Sequence, residues 1–314
     1  MNTLLPVMNL AELTLIPTYV CTSANCIGCY KKTFKEYEDT CVPSLNINDL
    51  MPFLRRYTLS ACVHSFGITG GEFTEYAECG KLIAALSNEF PAIPIEIVTN
   101  GQDHLKIMEI VESARIKENL TMRISIDGYG ESCDKLRRKE GYFEEAIRSI
   151  EVMADYGLIP GVRINCRYYP GEEGSVFRLR DYLGQKFGIS EKAFSVSSVT
   201  YKLLTPGKTQ SYLIAIHKFA SKFWKRTADI NLPNTPSLLL KGARCGSSSC
   251  VPAVHPDGTI HACDTLNGTP VGNIKDHDTD ALINRLVKVG KLNPDQCDFG
   301  KCVLKHYEHV NTLV

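Results

Sequence analysis

The sequence has no excess of charge of either sign: 35 lysines and arginines face 35 aspartates and glutamates. It has no basic tract and no acidic tail, which excludes broad electrostatic capture of nucleic acid. No apolar run reaches the roughly 18 residues of a membrane-spanning helix. The N-terminus, MNTLLPVMNLAELTLIPTYVC, lacks a cationic start, carries Glu12 inside its apolar part and offers no small-residue cleavage site. It does not read as an export signal. Internal repeats and low-complexity segments are also lacking. Cysteine, by contrast, is abundant, with thirteen in 314 residues. A long chain with an odd cysteine count and no export signal reads as a cytoplasmic protein with reduced thiols, some of them on a metal, and not as a disulfide scaffold.

From residue 12 to 205, strand-like and helix-like segments alternate. The strand segments are 13–18, 62–69, 93–100, 121–127, 161–168 and 193–200; the helical patterns are 48–59, 76–90, 103–116, 143–157 and 176–188. Repeated strand–helix units predict a parallel sheet with right-handed crossovers, either an open sheet or an incomplete barrel. Within 122–127, Met122, Ile124 and Ile126 oppose Arg123, Ser125 and Asp127. Within 162–167, Val162, Ile164 and Cys166 oppose Arg163, Asn165 and Arg167. A closed barrel fills its middle with branched apolar side chains. Two neighbouring strands with one polar face predict a wet, ligand-holding interior instead. Residues 206–241 read as a connecting helix (212–226) and a turn-rich linker (231–237). Residues 242–314 read as a small second domain, with a hairpin turning at Asp257-Gly258 and a helix capped by Asp278.

Cys21, Cys26 and Cys29 are spaced C-x4-C-x2-C directly after the first strand. Three thiolates in one loop suit structural zinc, completed by Cys41 or His64, and equally a 4Fe–4S cluster with one iron left open. After strand two comes GITGGEF, with Gly70, Gly71 and Glu72; after strand three comes TNG (99–101), with Asn100; strand four ends SIDG (125–128). Each lies where parallel α/β sheets bind ligands, at the carboxyl ends of strands.

In this order, over roughly residues 12–205, these motifs resemble the radical S-adenosylmethionine (SAM) superfamily. The resemblance implies an α/β fold, a partial (β/α)6 barrel, with a 4Fe–4S cluster on Cys21, Cys26 and Cys29. Its open iron would chelate SAM, and reduction would release a 5′-deoxyadenosyl radical. By the same resemblance Gly70, Gly71 and Glu72 hold the methionine amino group. Ser125 and Asp127, with Asn100 nearby, lie by the ribose and carboxylate, and Arg137 joins them. The loop departs from the family's usual C-x3-C-x2-C by one residue. Gly28 stands where an aromatic residue normally packs by the adenine, and Phe73 stands where proline often follows the glutamate.

The C-terminal region resembles the twitch form of the superfamily's SPASM/twitch extensions, through Cys245, Gly258, Cys263 and VGNI (271–274). The likeness implies a second 4Fe–4S cluster on Cys245, Cys263, Cys297 and Cys302, for which zinc is the alternative. Cys250, five residues beyond Cys245, is then a candidate hydrogen-atom donor, as in epimerases of this superfamily. The expectation is an epimerase of an aminoglycoside-type small molecule, served by an external one-electron reductant such as flavodoxin or ferredoxin. The alternatives are an amino-sugar or aminocyclitol dehydrogenase, a peptide epimerase or maturase, and a non-catalytic zinc protein. About a dozen residues precede the first strand, which weighs against a leader-dependent peptide.

Overall fold

The computed structural model describes residues 9–10, 12–23, 26–27, 29, 43–198, 219, 222–223, 252–262 and 270–290. Two short strands, β1 (Asn9–Leu10) and β3 (Cys62–Val63), form a small parallel pair. The main sheet is built on β2 (Leu13–Leu15), β4 (Phe66–Ile68), β5 (Ile95–Thr99), β6 (Leu120–Ser125), β7 (Val162–Tyr168) and β8 (Phe194–Ser198). These six lie in chain order, each parallel to the next. Among the described residues the α-helices with stated bounds are α1 (Ile47–Ser60), α2 (Cys79–Glu89), α3 (His104–Ser113), α4 (Glu131–Arg137), α5 (Tyr142–Asp155), α6 (Glu173–Phe187) and α7 (Thr279–Gly290).

Apolar periodicity explains the packing. Leu50, Phe53, Leu54 and Tyr57 make one stripe of α1; Leu82, Ile83 and Leu86 make that of α2; Ala146, Ile147, Ile150 and Met153 make that of α5. These i, i+3, i+4 stripes join one core with Leu13, Leu15, Phe66, Ile68, Ile97, Met122, Ile124, Val162 and Ile164 of the strands. Each fully buried side chain of this kind contributes about 1.5–3 kcal/mol. The other face of the same strands is polar. Register puts Arg123 beside Arg163 and Ser125 beside Asn165, on the face opposite those buried residues. The chain is the expected α/β partial barrel with a polar inner wall.

Three features differ from the sequence expectation. The segment 62–69 is two strands, because Cys62–Val63 leaves to pair with β1 and only Phe66–Ile68 enters the main sheet. Helix α4 follows β6 ahead of α5. The main sheet also continues beyond β2 into β9 (Ala253–Val254), β10 (Thr259–His261) and β11 (Gly272–Asn273), giving nine strands. Strand β9 runs parallel to β2; the Thr14 and Ile16 amides donate to Pro252 O (2.9 Å) and Val254 O (2.8 Å). The β9–β10 turn falls at Asp257-Gly258 as expected. Gly258 has φ +83°, which suits glycine, and Asp257 Oδ1 accepts the Thr259 amide at 2.9 Å. Asp278 caps α7 by accepting the Ala281 amide at 2.8 Å. Among the described residues no helix is long and apolar enough to cross a membrane.

Candidate active site at the carboxyl ends of the strands

The cysteine loop leaves β2 at the barrel mouth and is fastened along its stem. Gly71 N and Glu72 N donate to Thr18 O (2.9 Å) and Val20 O (2.7 Å). The close approach needs glycine: a Cβ on Gly71 would lie 2.0 Å from Val20 O, and one on Gly70, at φ +128°, would lie 2.7 Å from Thr18 O. Glu75 Oε1 accepts both the amide and the hydroxyl of Thr22, each at 2.7 Å. Farther along, the Ile27 amide donates to Leu136 O at the end of α4 (3.0 Å). The C-terminal hairpin also reaches this stem, through a hydrogen bond between the Tyr19 hydroxyl and His255 Nδ1. Burial, then the adjacent His261, lower the His255 pKa to about 3, so His255 is neutral near pH 7.

Glu72 is buried and fully engaged. Its Oε1 accepts from the Thr99 hydroxyl (2.6 Å), the Thr74 hydroxyl (3.0 Å) and the Thr74 amide (3.2 Å); its Oε2 accepts the Asn100 amide (2.6 Å). Burial raises its pKa, and the hydrogen bonds pull it back. The carboxylate thus ties the Gly70–Gly71 turn to the end of β5. Asn100 holds its own turn, its Oδ1 accepting the Gln102 amide at 2.8 Å.

Across the mouth, Asp127 and Arg137 form a buried ion pair at 2.7 Å. Asp127 Oδ1 also accepts the Arg167 amide at 2.8 Å. Burial by itself lowers the Arg137 pKa; the Asp127 carboxylate, followed by Tyr142 and Cys26, outweighs it and holds it well above the ordinary value. Arg137 Nη1 lies 3.9 Å from Cys26 Sγ, and the guanidinium stacks 5.3 Å from the centre of the Tyr142 ring. Cys26 is buried, while Cys21 and Cys29 are half-buried. Ser125 is buried on the same wall.

The sequence profile of the radical SAM superfamily matches residues 15–177, just over half of the chain. The chain belongs to the radical SAM superfamily. No curated protein matches the sequence. Among solved structures, Streptococcus suis SuiB bound to the precursor peptide SuiA is similar with a TM-score of 0.64 at 16% identity, over 96% of this chain and 73% of that one. SuiB bound to S-adenosylmethionine gives 0.62 at the same identity and coverage. BtrN in complex with AdoMet and 2-DOIA gives 0.47 at 11% identity, over 93% of this chain and 89% of that one.

A radical SAM enzyme works with SAM and a 4Fe–4S cluster, which when bound supplies the electron that cleaves SAM to a 5′-deoxyadenosyl radical. The donor chemistry of the loop fits such a group. Three thiols lie on one anchored segment, with the Arg137 guanidinium beside Cys26. Among the described residues no three His, Cys, Asp or Glu side chains stand close enough to share one metal. Cys21, Cys26 and Cys29 are the residues that would hold the cluster. The structure brings the other predicted residues to the mouth: Gly70, Gly71, Glu72 and Asn100 on one side, Ser125, Asp127 and Arg137 on the other. Cys245, Cys250, Cys263, Cys297 and Cys302 lie outside the described residues. Glu75 was missed from sequence; its only signal is its place three residues after Glu72.

Proposed function

We propose that this radical SAM enzyme is an epimerase. One hydrogen atom is removed from a substrate carbon, and Cys250 returns another from the opposite face. An external one-electron reductant of the flavodoxin or ferredoxin class, with a solvent proton, restores the thiol. A second 4Fe–4S cluster on Cys245, Cys263, Cys297 and Cys302 completes the proposal. The observation that carries the radical chemistry is the docking of the cysteine loop: Arg137 against Cys26, with Glu75 and the Gly71–Glu72 amides along the stem.

A peptide is the substrate class favoured over an aminoglycoside. A polycation would need acids to meet it, and the carboxylates of this region, Glu12, Glu72, Glu96 and Asp127, already have protein partners. The similar fold of SuiB, solved with a precursor peptide, supports the same choice. Turnover in D2O tests the reaction type. A thiol exchanges with solvent, so the inverted carbon should carry one deuterium, and Cys250→Ala should abolish inversion while 5′-deoxyadenosine still forms. A product lighter by two hydrogens, with no deuterium, makes the enzyme a dehydrogenase.

A further inference from the structure

We propose that Arg167 is a specificity-determining residue that receives a carboxylate of the substrate. The inference deepens the peptide reading above and rests on it. Alternation along β7 puts Arg167 on the inner face with Arg163 and Asn165, opposite the buried Val162, Ile164 and Cys166. Its neighbours on this side of the sheet have their charges or donors met. Arg123 pairs with Glu96 at 2.6 Å, and Arg137 pairs with Asp127 at 2.7 Å. Arg163 Nη1 donates to Pro160 O (2.7 Å) and Val162 O (2.9 Å).

Arg167 differs. Its side-chain partner is the neutral Tyr169 hydroxyl, and among the described residues no carboxylate lies at ion-pair distance from it. Asp127 is the near acid, but it takes the Arg167 backbone amide on Oδ1 and the Arg137 guanidinium on Oδ2. A partly buried cation whose partner is neutral leaves its charge to be met by an anionic ligand. The guanidinium fork is shaped for a planar carboxylate, as found at a peptide C-terminus or on an acidic side chain. SAM carries the same group, so the test separates the two sources.

Full-length protein, reconstituted anaerobically and saturated with SAM, is titrated by calorimetry with N-acetylated dipeptides bearing a free carboxylate and with their C-terminal amides. Wild type should bind the carboxylates roughly ten- to a hundredfold more tightly than the amides. Arg167→Gln should erase that preference and leave SAM affinity within about twofold, since the arginine serves the substrate; Arg167→Lys should keep part of the preference. Equal binding of the two probe sets by wild type, or no binding of either, overturns the proposal. So does an Arg167→Gln protein that loses SAM affinity and keeps the preference. Failure of inversion in D2O leaves these outcomes unaffected.

Discussion

On the cysteine-loop side of the barrel mouth the acids are tied to protein donors, whereas on the far wall Arg167 is left without an anion among the described residues. Glu72 accepts four hydrogen bonds and Glu75 two. Both hold backbone in place. Across the mouth, Asp127 uses its two oxygens on Arg137 and on a main-chain amide, so the Arg167 guanidinium is left with the neutral Tyr169 hydroxyl and, among the described residues, no carboxylate. The difference separates groups that build the site from a group that faces what enters it. Buried polar atoms that position others are satisfied within the protein; a cation with only a neutral partner is one that a ligand's carboxylate would complete.

The largest disturbance should come from breaking the far-wall pair. Arg137→Ala leaves the Asp127 carboxylate buried and uncompensated, a loss of about 3–5 kcal/mol. Urea denaturation should register it, and Asp127→Asn in the same background should recover part of the loss. Gly71→Ala acts on the other side. Its Cβ meets the Val20 carbonyl at 2.0 Å, and relieving such overpacking costs about 1–3 kcal/mol. Because the relief must move the stem of the cysteine loop, iron content after reconstitution should fall further than the stability does. Glu75→Gln is the mildest, since it weakens two solvent-exposed hydrogen bonds to Thr22. Stability should change by about 0.5–1.5 kcal/mol, with a several-fold faster loss of iron to a chelator. A Glu75→Gln protein that holds iron as wild type does would remove Glu75 from the stem's anchors.

Much of this architecture was legible in the sequence because burial on one face leaves a period-two pattern. Buried Leu120, Met122 and Ile124 alternate with half-buried Thr121 and Arg123 along β6, as that pattern predicts; from Ser125 to Asp127 every residue is buried. Helix α4 was not legible: ESCDKLR is short and highly charged, and it starts at Gly130 in a positive-φ conformation (58°) instead of at a side-chain cap. The pairing of β9 with β2 joins two- and three-residue strands far apart in sequence, and no local pattern encodes such a contact. For the site, the glycine-glycine-glutamate motif was readable, but its physics was not. Gly71 is small because the stem's backbone lies against it, and Glu72 faces threonines 2 and 27 residues away. The missing counterion of Arg167 was likewise invisible, since a sequence shows a charge but not whether that charge is met.

The central claim is that the loop holding Cys21, Cys26 and Cys29 carries the cluster that cleaves SAM. The most direct test compares wild type with Cys26→Ala after anaerobic reconstitution, measuring bound iron and the 5′-deoxyadenosine formed from SAM under a chemical reductant. Wild type should bind iron and form 5′-deoxyadenosine, and Cys26→Ala should lose about four irons per chain and all of the product. Zinc in place of iron in wild type, or 5′-deoxyadenosine formation that survives in Cys26→Ala, would contradict the account.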